Sequence, residues 1–477
     1  MRRNRTATLL ILTAALACGD GPGPGADYVL TISAGEAQTD TIGQALPIAY
    51  AVKVADMTSA VQPGVTVSWS VTAGGGSITA SSGTDANGIA TAIRTLGTMA
   101  GTATARAQVG NASVTFTATA LPTAGAVLVT TLPIPQNYGV HDQFVRDGLA
   151  FVCAWNTGVL IYDVGNGIKG GTPGTPVLVD SVTTVGREVH NAWWFHNPAT
   201  SENKYLFIGQ EGPGTIGSGS SGDIHVVDVS NLNDIQEVAS FHLPGAGTHN
   251  FWVDEPNQIL YAAYYNGGVV AIDVSGTLSG DISSRMVDTL SFGASNTYTW
   301  GVQMYNGSLY ASDMLSGLWQ LSTNLGTLGT AGGGNNEAPR FTSDLWVANG
   351  YAYTGTWDHF QRTGQSGSLL KIWQLNGSGA PVALDSILVS NVGAVSDVEV
   401  SADGKLLMFS TESGPNSGFW FYSLADPAHP ALLGNYLVSS GVHTATFATI
   451  GSKLYAFGAK NPSGAALIIL DVTSLDQ

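Results

Sequence analysis

The sequence has very few cysteines. Only Cys18 and Cys153 occur in 477 residues, which excludes a disulfide framework and a CxxC redox or zinc motif. Cys153 lies in the apolar stretch "LAFVCAW", where a cysteine is typically a small buried side chain. Without disulfides the chain must be stabilised by the packing of its core, for which a hydrophobic content of 44% is sufficient.

Positive charge is also scarce. The chain has 17 Lys+Arg against 34 Asp+Glu, a formal net charge of −17, and an acidic surface repels the phosphates of nucleic acids. We therefore expect no nucleic-acid partner. The sequence also lacks H-E-x-x-H, G-x-S-x-G and P-loop motifs, so the usual signatures of zinc proteases, α/β-hydrolases and NTPases are absent. No catalytic residue is assigned from a motif.

The apolar run at the N terminus, Ala7–Ala17, follows three arginines and is too short to span a bilayer. This arrangement predicts an export signal over residues 1–17. Ala17 directly before Cys18 resembles the lipobox of bacterial lipoproteins, which implies a lipid on Cys18 and a flexible tether over 18–27. The alternative is an ordinary cleaved signal. The protein is expected to be exported, held by a lipid anchor at the outer membrane or cell surface, or else periplasmic or secreted.

Seven short alternating runs, bounded by Gly, Asn, Asp or Ser, fill residues 28–120. This spacing predicts an all-β sandwich with Trp69 in its core. The "VSWSV" strand, the "TDANGIATA" turn and the final "TATA" strands resemble the bacterial Ig-like domains of the invasin/intimin type. That resemblance implies a spacer or an adhesion module. Residues 121–125 are predicted to form a linker.

Residues 126–477 contain seven copies of one unit. Each copy has a first strand that opens on a polar pair, a second strand rich in Tyr and Ala, a third strand that often ends in Asp-Val, and in most copies a fourth. Four antiparallel strands about every 50 residues are typical of a propeller blade, so seven copies predict a seven-bladed β-propeller. The last copy ends before a fourth strand, and Val127–Thr131 is predicted to supply it and close the ring.

The repeats resemble the LVIVD-repeat propellers of bacterial surface proteins. The matching stretches are "GLAFVCAWNTGVLIYDV", "ILYAAYYNGGVVAIDV", "GDIHVVDVSN" and "ALIILDVTS". This resemblance implies the fold and little about activity. The aspartates that end these third strands recur once per copy and are predicted to accept backbone N–H bonds in the following turn. They are Asp163, Asp228, Asp273 and Asp471.

The polar pairs that open the first strands are the candidate site. Successive residues of a strand point in opposite directions, so one member of each pair is expected to face the central channel, where histidines and aspartates would converge. Neutral imidazoles bind Zn, Cu, Fe or Ni, which makes a transition metal the candidate cofactor. The candidate metal ligands, on four consecutive blades across the closure, are His141, His190, His249 and His443. The candidate ligand-binding residues are Asp142, Asn191, Asn250, Asp344 and Asp397.

These residues also have a structural interpretation. Each histidine could instead hold the backbone of a neighbouring blade. The tryptophans that follow three of the pairs are predicted to pack between blades; they are Trp193, Trp252 and Trp346. Residues 196–222 are predicted to form the longest loop of the face that would bind a partner.

Taken together, the sequence favours a non-catalytic, envelope-anchored propeller that binds a protein or glycan partner and is held out by an Ig-like spacer. The alternative is a metal-dependent hydrolase or oxidase with its histidine cluster at the channel mouth. A purely structural component of the surface layer is a third possibility.

Overall fold

A computed structural model of the chain describes residues 27–97, 101–121, 125–134, 139–292, 297–334, 340–357, 366–377, 379–461 and 464–476. The predicted export signal and Cys18 lie outside these ranges, as do most of the tether and linker. The chain divides into two compact units, Met1–Thr123 and Ala124–Gln477. Both are all-β, and the only helices in the described ranges are two 3₁₀ turns, Ser283–Arg285 and Thr473–Leu475. No helix there has the length and hydrophobicity of a membrane span.

The first unit contains a three-stranded, a five-stranded and a two-stranded sheet. The two larger sheets pack against each other through Tyr50 and Phe116, whose rings stack with centroids 4.3 Å apart. Trp69 is buried beside Phe116, so the prediction that it is a core residue is confirmed. The strands are Tyr28–Ala34, Gln38–Thr41, Tyr50–Asp56, Thr66–Ala73, Ser77–Ile78, Ser81–Gly83, Ile89–Ala92, Arg94–Thr95, Gly101–Val109 and Ala112–Leu121.

The second unit has a β-propeller-like fold, whose described residues form seven sheets of four antiparallel strands, one of them with a short fifth strand. We number the sheets 1 to 7 along the chain and the strands of each sheet in the order of their pairing. Sheet 1 consists of Asp142–Arg146, Leu149–Cys153, Val159–Asp163 and Val177–Val182. Sheet 2 consists of Val189–Asn197, Glu202–Gln210, Ile224–Asp228 and Gln236–Phe241, with Gly280–Asp281 at its edge. Sheet 3 consists of Phe251–Asp254, Ile259–Ala263, Val269–Asp273 and Met286–Leu290.

The remaining sheets follow the same order. Sheet 4 consists of Thr299–Tyr305, Ser308–Asp313, Gly317–Asn324 and Thr327–Gly333. Sheet 5 consists of Phe341–Ala348, Tyr351–Trp357, Leu369–Gln374 and Val382–Leu388. Sheet 6 consists of Ala394–Val400, Leu406–Glu412, Gly418–Ser423 and Ala431–Leu437. Sheet 7 consists of Ala445–Ile450, Lys453–Lys460, Ala466–Asp471 and, from the start of the unit, Val127–Pro133.

The sheets follow one another in a cycle. The first strand of each sheet contacts the first strand of the next, and that of sheet 7 contacts that of sheet 1. A separate apolar core lies between each successive pair of sheets. Complete burial of a side chain such as Phe207 or Phe457 contributes roughly 1.5–3 kcal/mol. These cores hold the first strands side by side and therefore fix the positions of the side chains on those strands.

The strand that completes sheet 7 comes from the other end of the unit. Val127–Pro133 pairs antiparallel with Ala466–Asp471, so the predicted pairing is confirmed and extends two residues further. Val129 and Leu132 pack against the core between sheets 7 and 1, and Ile134 is buried in it. The strand therefore contributes apolar contacts as well as backbone hydrogen bonds.

The third-strand aspartates accept the predicted hydrogen bonds. Asp228, Asp273 and Asp471 each accept the backbone N–H two residues later. Asp163 accepts four backbone N–H groups between Gly165 and Gly171, at 2.7–3.2 Å. Burial by itself would raise the pKa of Asp163, but these four donors outweigh it and lower the pKa to about 2. The interpretation of these aspartates as architectural is confirmed.

Candidate functional site

The four candidate histidines meet at the starts of the first strands of sheets 7, 1, 2 and 3. The ring centroids of His443 and His141 are 4.1 Å apart, those of His141 and His190 4.1 Å, and those of His190 and His249 4.0 Å. The row continues onto Trp300 of sheet 4, 4.3 Å from His249. The cores between the sheets bring these first strands together, so residues about 300 positions apart in sequence are in ring contact. We call these four residues the histidine cluster.

Two glutamates that the sequence analysis missed complete the cluster. The Glu211 carboxylate lies 3.6 Å from His141 Nε2 and 4.0 Å from His190 Nε2, and it accepts a hydrogen bond from the Tyr265 hydroxyl. Glu412 Oε1 lies 2.7 Å from His443 Nδ1. Both glutamates stand at the end of a second strand. Because the second strand runs antiparallel to the first, its end lies beside the polar pair, and this is the signal that could have identified them.

The structural and the metal-binding interpretations of the polar pairs apply to different residues of the cluster. His249 Nδ1 lies 2.6 Å from the backbone oxygen of Trp300 on the next sheet, as the structural interpretation predicts. Ser343, which precedes Asp344 in the polar pair of sheet 5, donates to the backbone oxygen of Val395 on sheet 6. Thr444, which follows His443 in the pair of sheet 7, donates to the backbone oxygen of His141 at the start of sheet 1. His190 does not follow this pattern.

His190 is buried and poorly satisfied. It is 1% exposed, and neither of its ring nitrogens makes a hydrogen bond of ordinary geometry with the described residues, although the Asn191 amide lies close enough to act on its pKa. His141 Nδ1 also makes no hydrogen bond with the described residues. One donor atom each from His141, His190 and Glu211 lies within 4.8 Å of the others. An unsatisfied buried polar group costs about 1–3 kcal/mol, so these nitrogens are energetically costly unless something binds them.

Burial decides the protonation of the cluster. Burial holds the pKa values of His141 and His190 well below the usual value for histidine, and the neighbouring histidines lower them further. At His190 the Asn191 amide opposes this effect. Burial lowers the pKa of His249 to about 3. Burial would also lower the pKa of His443, but the Glu412 carboxylate outweighs it and raises the pKa to about 9. Burial raises the pKa of Glu211 to about 7. Three of the four imidazoles are therefore neutral, the form that binds metals.

A cavity of about 270 Å³ opens beside the histidine cluster. His141, His249 and His443 line it together with Glu211, and its other walls are mostly apolar or aromatic. Those walls are formed by Pro213, Gly214, Thr215, Ile216, Tyr265, Tyr298, Trp300, Met314 and Trp357. The prediction of one loop over residues 196–222 is wrong, because Glu202–Gln210 is a strand. The irregular part that follows this strand supplies Glu211 and one wall of the cavity.

The aspartates and asparagines of the pairs line a second cavity, of about 300 Å³, to which all seven first strands contribute. The expectation that histidines and aspartates converge on one site is therefore wrong, because His141, His249 and His443 line the first cavity and the aspartates line the second. In sheets 2, 4, 5 and 6 the register between the first and second strands shifts at the polar pair. Such a bulge breaks the alternation of side chains along the strand. In sheets 1, 3 and 7 the histidine precedes the strand.

The residues expected to bind a ligand are all found in this second cavity. They are Asp142, Asn191, Asn250, Asp344 and Asp397. Asn250 Nδ2 donates to Asp344 Oδ1 at 3.0 Å. In sheet 4 the corresponding position is Gly301, where a Cβ would stand 2.6 Å from Asp344 Oδ1. A glycine there leaves room for that carboxyl group.

Cys153 takes no part in either cavity. It is a free thiol, fully buried in the second strand of sheet 1, and burial raises its pKa well above the usual value. Such a thiol is neither a ready nucleophile nor a ready metal ligand. Its interpretation as a small core residue is confirmed.

Comparison with known proteins identifies no family. No protein-family profile matches the chain, and no curated protein matches it. Among solved structures, the chain is similar to the β-propeller domain of Cps50 (Swd1) from Myceliophteria thermophila, at 11% sequence identity and a TM-score of 0.49. The similarity covers 73% of this chain and 100% of that domain.

Proposed function

We propose that the second unit is a seven-bladed β-propeller that binds one transition-metal ion at its histidine cluster. The observation that carries this proposal is His190, a buried imidazole whose two nitrogens make no hydrogen bond of ordinary geometry with the described residues and which lies next to two other histidines and a carboxylate. A structural histidine is retained for well-formed hydrogen bonds, whereas His190 makes none with its polar neighbours, the Asn191 amide and, 4.0 Å away, the Glu211 carboxylate. A metal ion would use a nitrogen that otherwise only destabilises the fold.

The candidate ligands are His141, His190 and Glu211, with His249 and His443 adjacent. The Trp300 oxygen next to His249 Nδ1 is the kind of partner that orients a metal-binding imidazole and leaves Nε2 as the donor. The Glu412 carboxylate instead keeps His443 protonated, and His443 is therefore not counted among the ligands. Two histidines and one carboxylate bind iron(II) in oxygenases and zinc in hydrolases. Imidazole-rich donors argue against calcium and magnesium.

The cavity beside the cluster indicates the kind of chemistry. A metal that keeps an open position can activate water or oxygen, and the mostly apolar walls around Trp300, Trp357 and Met314 suit a small apolar substrate. The metal-dependent hydrolase or oxidase, the alternative in the sequence analysis, is thus the function that the geometry supports best.

Metal analysis of the purified full-length protein tests the proposal. We expect about one transition-metal ion per chain, since one His–His–Glu set is present among the described residues and such a set holds one ion. The apoprotein, titrated with cobalt(II), should show the visible absorption of a nitrogen- and oxygen-ligated ion. A protein that contains no transition metal and takes up no cobalt(II) at the cluster would disprove the proposal.

A β-propeller fold also suggests a protein-interaction scaffold, and we propose that this chain works at the cell envelope. The support is in the sequence: the lipobox-like Ala17–Cys18, the LVIVD-like repeats, and an Ig-like sandwich over residues 28–120 that would act as a spacer. A protein or glycan partner would then bind the outer loops. Palmitate labelling tests the anchor: the parent chain should be labelled and Cys18→Ala should not, whereas equal labelling of both contradicts the lipid anchor.

A further inference from the structure

The second cavity collects acids and amides without any basic side chain. Its lining contains the carboxyl groups of Asp142, Asp344, Asp397 and Glu399, and no lysine or arginine is among the described residues that form it. Acidic side chains are rarely buried without a partner of opposite charge. We call this space the acidic cavity. Two of these acids, Asp344 and Asp397, hydrogen-bond to each other, and the protonated His443 acts on Asp142 and Asp397 from outside the lining. A cation inside the cavity would supply the opposite charge that the lining itself lacks.

The carboxyl groups are held in place by the protein itself. Asp397 accepts the backbone N–H groups of Ala445 and Val398 at 2.7 and 3.0 Å. Glu399 accepts the N–H of Phe447 at 3.2 Å, and Asp142 accepts that of Gln143 at 2.8 Å. These bonds come from sheets 1, 6 and 7, so the acids are fixed before any ligand arrives. Such preorganisation lowers the entropic cost of binding.

A buried amide points to a ligand independently of the acids. Gln143 lines the acidic cavity and is 3% exposed, yet its Nε2 has no hydrogen-bond partner among the described residues. Gln303, at the sheet 4 position, shows the alternative: its amide donates to the Val347 oxygen and accepts the Val347 N–H. A purely structural amide is thus satisfied on both sides in this channel, whereas Gln143 accepts from the Thr444 hydroxyl at 3.5 Å and its Nε2 donor is left over. An acceptor oxygen on the ligand, such as a hydroxyl group, would satisfy that donor.

Four aromatic rings form an arc along the same cavity. They are Phe144, Trp193, Trp252 and Trp346. Each ring follows a polar residue of the lining by two positions, and residues two apart point to the same side of a strand. Neighbouring centroids are 5.3 Å apart for Phe144–Trp193, 5.4 Å for Trp193–Trp252 and 6.2 Å for Trp252–Trp346. All four rings are partly exposed. They also pack against the apolar cores between sheets. The prediction that the three tryptophans pack between blades therefore describes part of their role.

We propose that the acidic cavity binds a small organic cation, whose ammonium group lies against the carboxyl groups and whose carbon substituents lie against the aromatic arc. Aromatic faces attract alkylammonium groups, most strongly where water is excluded. A hydrated inorganic cation would use the oxygens but not the rings, and a neutral sugar would not neutralise the acids. This site is separate from the histidine cluster and does not depend on the proposed metal.

Titration of the full-length protein with choline, followed by calorimetry and tryptophan fluorescence, tests this site. Choline should bind, and 3,3-dimethylbutanol, which has the same shape without the charge, should bind at least about tenfold more weakly, because it lacks the positive charge that the carboxyl groups and the ring faces attract. Calcium and magnesium should not compete. Absence of choline binding, equal binding of the neutral isostere, or competition by calcium would each overturn the proposal.

Variants locate the site. Asp344→Asn and Trp252→Leu should each weaken choline binding about tenfold or more, since one removes a carboxyl group and the other a ring that faces the cation. Asp313→Asn is the matched control, because Asp313 is also a buried carboxyl group but does not line the acidic cavity, and it should bind choline as the parent does. If all three variants bind equally well, the cation lies elsewhere and the assignment is wrong.

Discussion

Replacement of His190 by leucine is expected to abolish metal binding and yet leave the metal-free protein at least as stable as the parent. Both ring nitrogens of His190 are buried without a hydrogen bond of ordinary geometry to the described residues, and removal of an unsatisfied polar group relieves about 1–3 kcal/mol. With metal at roughly 100 times its Kd the parent should gain about 2.7 kcal/mol, and the variant should gain nothing. Calorimetric melting with and without metal measures both effects.

His225 provides a matched control in the same sheet. It is as buried as His190, but its ring nitrogens lie 2.7 Å from Glu237 and 3.3 Å from Gln210. His225→Leu should therefore lose about 1–3 kcal/mol and keep the metal. If the metal-free His190→Leu protein were destabilised as much as His225→Leu, His190 would have a structural role and the metal site would lose its main support.

Removal of Val127–Pro133 is expected to have the largest effect on stability. Without this strand, Ala466–Asp471 presents an unpaired edge, and the core between sheets 7 and 1 loses the contacts of Val129, Leu132 and Ile134. Burial of each such side chain is worth roughly 1.5–3 kcal/mol when complete, and an unpaired edge strand promotes aggregation. A chain beginning at Gly139 should thus melt at a much lower temperature and scatter light on heating.

Two controls accompany this truncation. A chain beginning at Gly125 keeps the strand and should melt as the second unit does in the full-length protein. A peptide of residues 125–134, added to the shorter chain, should restore part of the lost stability by pairing with the open edge, whereas a scrambled peptide should not. Equal melting temperatures for the two truncated chains would show that the strand is dispensable.

The sequence by itself determined the plan of the second unit. Seven copies with the same alternation of apolar residues predicted seven four-stranded sheets, because each pattern records which face of a strand is buried. The missing fourth strand of the last copy identified Val127–Thr131 as its replacement. Repetition also placed His443 next to His141, since the first and last copies of a closed ring are neighbours.

Only the tertiary structure decided what these residues do. Glu211 and Glu412 stand outside the repeated motif and join the histidine cluster because the ends of second strands lie beside the starts of first strands. Among the described residues, His190 makes no hydrogen bond of ordinary geometry and His225 has two polar partners within hydrogen-bond distance, although both are buried histidines of sheet 2. The split into a histidine cluster and an acidic cavity arises from local strand irregularities, which no alternating pattern records. Protonation depends on burial and on neighbours from other sheets, and these are properties of the assembled ring rather than of any one copy.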